Sequence, residues 1–133
     1  MTVLGPFDYM EISLPMTKVL ACGPDEYAKA HYPLMLEEGV VYSKGTMTSF
    51  NDGVAETSTG EKIPFDVCVL ATGQKISWFL PDPVNDATLE ERKRTVADLY
   101  NEVTKANIIV ISGAGPVGTE VAADIKIRNK NKK

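Results

Sequence analysis

The sequence predicts an α/β fold, and three observations carry that expectation. Near its end the chain runs Asn107-Ile108-Ile109-Val110-Ile111-Ser112 and turns at once into Gly113-Ala114-Gly115-Pro116-Val117-Gly118. An apolar, β-branched run of this kind reads as a buried parallel strand, and the glycines after it read as the phosphate-binding turn of a dinucleotide fold. Residues 88–105 carry Leu89, Val96, Leu99, Tyr100 and Val103 at helical spacing, with Glu90, Glu91, Arg92, Lys93 and Arg94 as a solvated face. In the middle, Asn51-Asp52-Gly53 and Ser58-Thr59-Gly60-Glu61 separate short strand-forming runs, the pattern of a small antiparallel β meander.

The N-terminal elements follow from local signals. Thr2-Val3-Leu4 is apolar and β-branched and ends at Gly5-Pro6, so it reads as a short buried strand. Phe7 to Ile12 mixes aromatic and polar residues and reads as extended. Ser13 is placed to cap a short helix with Pro15 in its first turn, and Gly23-Pro24 stops it. Asp25 to Tyr32 reads as one or two further helical turns closed by Pro33.

Val40 to Ser43 has strand propensity, and Gly45 to Phe50, Val54 to Thr57 and Lys62 to Phe65 form the meander. Asp66-Val67-Cys68-Val69-Leu70-Ala71-Thr72-Gly73 follows, and its four consecutive apolar residues read as a strand buried on both faces. Trp78 and Phe79 open a loop rich in proline and turn residues and read as packing side chains. The last helix runs from Pro116 to Arg128, with Val117, Val121 and Ile125 on one face and Ala122 and Ala123 allowing close packing.

Each residue of the glycine turn has a physical task. Gly113 permits the tight exit from the strand, Gly115 lets a pyrophosphate approach the backbone, and Gly118 lets helix and strand pack closely. Pro116 suits a first helical turn, and the helix start offers free N–H groups and a dipole to an anion. The acidic residue that reads a ribose hydroxyl is expected about 20 residues beyond the first glycine, and the chain ends at Lys133. The expectation is therefore a nucleotide-binding domain begun and not finished, a fragment of a longer chain.

Composition excludes several classes. The 133 residues are enough for a core, and 44% apolar with 24% charged residues is ordinary for a globular domain. A net charge of −4 gives no reason to expect nucleic acid. The late cations Lys126, Arg128, Lys130, Lys132 and Lys133 read as a solvated helix end. No apolar run approaches a transmembrane segment, which leaves peripheral membrane contact open, and the N-terminus is not a secretory signal. Cys22 and Cys68 are too far apart in sequence for a redox motif and read as structural thiols of a reducing compartment, hence a cytoplasmic chain. His31, the single histidine, has no companion for a metal site or a triad, so no metal and no catalytic residue is assigned.

The order of the two motifs is more specific than either alone: turn, short strand, Asp66, apolar run, Ala71-Thr72-Gly73, loop, helix, then Ile109-Val110-Ile111-Ser112-Gly113-Ala114-Gly115-Pro116-Val117-Gly118. This order resembles the FAD- and NAD(P)H-dependent oxidoreductases of the pyridine nucleotide-disulfide superfamily, and within it the apoptosis-inducing-factor homologues, the branch that includes ferroptosis suppressor protein. Phe7 to Ile12, and Glu120 to Ile125 in the last helix, are similar to segments of that branch.

The resemblance implies a partial FAD/NAD(P)-binding Rossmann-like fold in two parts, residues 1–84 from the FAD domain and residues 85–133 as the connecting helix and first βα unit of an NAD(P)H domain. It implies that Asp66, Ala71, Thr72 and Gly73 lie near FAD. Gly113, Gly115, Pro116, Val117 and Gly118 would hold the NAD(P)H pyrophosphate, and Glu120 would face the nicotinamide. It implies hydride transfer from nicotinamide to flavin and on to a quinone-like acceptor. On the residues alone, Asp66 serves equally as a turn residue before a strand, and Glu120 as a complement to the helix dipole. A non-catalytic binding remnant and a nucleotide-binding domain without redox chemistry are the competing readings.

Overall fold

The structure is a computed structural model that describes residues 1–74 and 79–131, so Trp78 lies outside the described residues. The chain opens with β1 (Thr2–Gly5) and β2 (Tyr9–Glu11), enters α1 (Met16–Cys22) and a 3-10 helix (Pro24–Lys29), and returns as β3 (His31–Pro33) and β4 (Val41–Lys44). β5 (Met47–Asn51), β6 (Val54–Thr57) and β7 (Lys62–Pro64) follow, then α2 (Leu89–Lys105) and α3 (Pro116–Arg128).

The strands form three small sheets among the described residues. β1 and β4 pair in parallel, Thr2 against Val41 through Gly5 against Lys44. β5, β6 and β7 form the antiparallel meander expected from the turn residues. The tip between β5 and β6 is made by Asp52 and Gly53, both with positive φ (50° and 76°), which is why an Asp-Gly pair stands there.

The segment expected to be helical up to Tyr32 differs. Its 3-10 helix ends at Lys29, and β3 pairs antiparallel with β2, Glu11 facing His31 and Tyr9 facing Pro33. Pro33 disfavours a helical conformation at Tyr32, and the free edge of β2 supplies an extended alternative. α1 also starts differently. Pro15 occupies its N-cap with no side-chain bond, and Ser13 contributes its carbonyl, not its hydroxyl, to Met16 N at 3.0 Å.

α2 begins in a capping box. The Thr88 hydroxyl accepts from Glu91 N, and the Glu91 carboxylate accepts from Thr88 N at 2.9 Å. α1 packs between α2 and α3, and two apolar clusters result. Met16, Val19, Tyr27, Ala30, Phe79 and Val96 form the first. Leu20, Ala21, Val121 and Ile125 form the second, flanked by Leu99, Val103 and Ile109. Ala122 and Ala123, expected to allow close packing, are exposed.

Two expectations are corrected. Residues 66–73 and 107–112 are extended in sequence character, yet among the described residues neither forms a ladder with another strand. Val67 and Val69 are each 81% exposed, and Val110 is 88% exposed. A strand of such composition needs hydrogen bonds on both edges and cover on both faces. Among the described residues the second run obtains cover on one side only, where Ile109 reaches the helical cluster. Cys68 is exposed with the rest of its segment, so it is not a packed structural thiol.

Candidate functional site

The glycine turn is shaped by two steric facts. Gly113 has φ +106°, a conformation that side chains rarely tolerate. A Cβ on Gly118 would stand 2.3 Å from the Gly113 carbonyl oxygen and 3.5 Å from Ile111 Cγ2. The first turn of α3 therefore lies directly on the chain entering it, and only glycine permits that approach. Gly115 caps α3 with extended backbone and Pro116 fills the first position. A Cβ on Gly115 would meet nothing within 4 Å. No steric need inside the chain calls for glycine there.

The helix start at this corner has no side-chain cap and lies in an exposed turn. α3 has no acidic residue in its first turn. Thr119 N bonds Gly115 O at 3.0 Å, and the Thr119 hydroxyl folds back onto the Gly115 and Pro116 carbonyls. The N–H groups of Val117 and Gly118 sit in a turn that is exposed from Gly113 to Val117. An uncapped, exposed helix start of this kind fits an anion. Glu120 lies beyond the first turn of α3 and is exposed.

Gly113, Gly115, Pro116, Val117 and Gly118 thus come together in one corner. Asp66, Ala71, Thr72 and Gly73 lie in a separate exposed segment, with Gly73 at φ +68°. A cavity of about 750 Å³ sits at the opposite end of α3, lined by Asn107, Arg128 and Lys130 among others. It opens at the C-terminal end of the helix, where the dipole disfavours an anion, so it is not the counterpart of the glycine turn. Among the described residues no cluster of His, Cys, Asp and Glu is placed to hold a metal. Among the described residues no helix is long and apolar enough to cross a membrane.

Sequence reasoning missed a buried polar cluster. Arg92, read as part of a solvated face, is 0% exposed. Its Nε and Nη2 meet the two Glu11 oxygens at 2.8 and 3.0 Å, its Nη1 meets Asp86 Oδ2 at 3.4 Å, and Nη2 also donates to the Phe79 carbonyl at 3.0 Å. Tyr27 donates to Glu11 at 2.6 Å and Thr95 to Asp86 at 2.6 Å. Burial works against the Arg92 charge, but the hydrogen bonds and charge of Glu11, with the charge of Asp86, outweigh it and hold the guanidinium more firmly protonated than usual. Burial, reinforced by Glu11, pushes the Tyr9 and Tyr27 hydroxyls well above the ordinary tyrosine range. No local pattern marks this cluster, because its members come from β2, the 3-10 helix, the 79–86 segment and α2.

The profile of the family described as pyridine nucleotide-disulphide oxidoreductase matches residues 13–131. The chain belongs to that family. Its members bind FAD and NAD(P) on a Rossmann-like fold. Within the family, the chain is similar to apoptosis-inducing factor 1 of Saccharomyces cerevisiae, at 31% identity over 110 residues, which is 75% of this chain and 26% of that protein. It is also similar to the FAD-dependent oxidoreductase FVFD30 of Flammulina velutipes, at 35% identity over 74 residues, 56% of this chain and 22% of that one. The chain therefore spans about a quarter of the length of the curated relatives it matches. No solved structure matches it.

Proposed function

We propose that this chain contributes the dinucleotide corner and a flavin-facing segment of an FAD-dependent NAD(P)H oxidoreductase. The observation that carries the reading is the exposed, uncapped start of α3 behind a turn whose Gly115 meets no steric demand within the chain. A glycine kept where a methyl group would fit fits a backbone that a diphosphate must approach closely. In this reading Gly113, Gly115, Pro116, Val117 and Gly118 surround the diphosphate. The small residues Ala71, Thr72 and Gly73, with Asp66 before them, let backbone approach FAD. Glu120, one turn into α3, faces the nicotinamide side.

When bound, the nicotinamide would supply a hydride to the flavin, whose two electrons would go on to a quinone-like acceptor. The chain's own residues bind, orient and leave room. In this reading the net charge of −4 gives no reason to expect nucleic acid, peripheral membrane contact stays open, and the setting is cytoplasmic.

A second reading is a truncated, non-catalytic binding module, and the unpaired runs at 66–73 and 107–112 favour it. The test is titration of the purified chain with NADH and NADPH, with and without FAD, by calorimetry and visible absorption. Saturable dinucleotide binding lost in Gly115→Val supports the first reading. A folded chain indifferent to both nucleotides overturns it and leaves the second.

A further inference from the structure

We infer that Arg92 is a latch: its guanidinium fork fastens the 79–86 segment to β2 and α2, and so limits how far Ala71-Thr72-Gly73, six residues before Phe79, can move from that anchor. The geometry supports this at each contact. One planar group meets a carboxylate from β2, a carboxylate from the segment's end and the Phe79 carbonyl from its beginning. Asp86 carries the lock back into the segment, since its Oδ2 accepts from Asp82 N at 2.9 Å while Asp86 N donates to Asp82 O at 2.7 Å. The Tyr9 hydroxyl adds a bond to the Asp86 carbonyl at 3.1 Å. Phe79 itself is inserted in the helical core.

Both ends of the segment are thus tied to a single side chain on α2. Phe79 follows Gly73 by six positions. The anchored Phe79 limits where the Ala71-Thr72-Gly73 turn can travel. Arg92 is on this account a positioning residue for the flavin contact, a point that rests on the proposed function. The latch itself does not.

The charges make the latch specific to Arg. Glu11 and Asp86 face Arg92 from β2 and the segment; Tyr9, Tyr27 and Thr95 surround them as neutral donors, and Asp8 stands nearby on Leu89 N. Without a cation, two buried carboxylates share one site with no opposite charge between them. Lysine keeps the charge but presents no planar fork, so it cannot meet three acceptors in that arrangement.

Hydrogen exchange read by mass spectrometry on the full chain tests this. In Arg92→Lys the amides of residues 79–86 should exchange about tenfold faster than in the unaltered chain, with the α1 amides unchanged. In Arg92→Met the same amides should exchange about a hundredfold faster, because the planar fork and its charge are both lost. A space-filling role for Arg92 predicts that Arg92→Met, which fills similar volume, protects 79–86 at least as well as Arg92→Lys. If Arg92→Met does not fold, Arg92→Lys decides. Protection of 79–86 equal to the unaltered chain in Arg92→Lys, or a uniform loss of protection across all helices, overturns the latch. In the same variants FAD affinity should fall about tenfold. An unaltered chain that binds no FAD removes the positioning role and the proposed function, and exchange still decides the latch.

Discussion

The Gly113 carbonyl oxygen lies 2.3 Å from the point where a Cβ on Gly118 would stand, so the entry and first turn of α3 are in backbone contact. The two glycines that follow the turn therefore differ in kind. One is held by the protein's own atoms and the other, Gly115, by none.

Substitution separates them. Gly118→Ala should lower stability by about 1–3 kcal/mol through overpacking, despite the better helix propensity of alanine. Gly115→Ala should melt at the same temperature as the unaltered chain yet weaken any dinucleotide binding. Paired thermal melts and NADH titrations read both effects. Equal stability losses in the two variants would contradict the assignment.

The capping box at Thr88 should matter to α2. Thr88→Ala is expected to cost about 1 kcal/mol, measured by urea unfolding. The Thr88 hydroxyl and backbone N–H hold the Glu91 carboxyl below the usual carboxylate range. A depressed carboxylate adds stability above its unfolded pKa and loses it as pH falls through the folded value. The stability gap between the unaltered chain and Glu91→Gln should therefore close in acid. A gap that widens there would count against the bond.

Three of the five tyrosines, Tyr9, Tyr27 and Tyr42, have hydroxyls raised first of all by burial. A raised pKa means that their contribution is whole below the unfolded tyrosine value, about 10, and is lost as pH climbs through the folded value. Ultraviolet titration should show these three ionising only together with alkaline unfolding. Five independent, reversible phenol titrations in a still-folded chain would refute it.

The exposed runs should drive self-association. Val69 and Val110, 81% and 88% exposed, lie in uncharged stretches with no ladder partner among the described residues. Val110→Lys should reduce light scattering at high concentration without lowering the melting temperature. Scattering that is low and equal in both proteins would remove this liability.

Elements whose signals are local were legible. The Asn-Asp-Gly turn, the apolar spacing of α2, and Pro116 with its glycines mark elements that close their own hydrogen bonds. Legibility failed where a segment depends on neighbours far away in sequence. The runs at 66–73 and 107–112 carry the composition of paired strands, but composition names no partner, and among the described residues none is present. Arg92 lies within a run of charges and reads as solvated, and the approach in space of Glu11, Asp86 and the Phe79 carbonyl makes a buried position tolerable. At the corner, the glycine spacing and the close approach at Gly118 were both readable, because the fingerprint encodes backbone contact itself.

The Asp52-Gly53 tip offers a practical opening. Its meander places only Ala55 and Thr57 among the buried residues and stands outside both helical clusters. A reporter peptide or affinity tag grafted between those two residues would project into solvent, leaving helices and glycine corner undisturbed. Labelled in that way, the chain could be tracked in a mixture while its glycine corner stays free for titration with nucleotides.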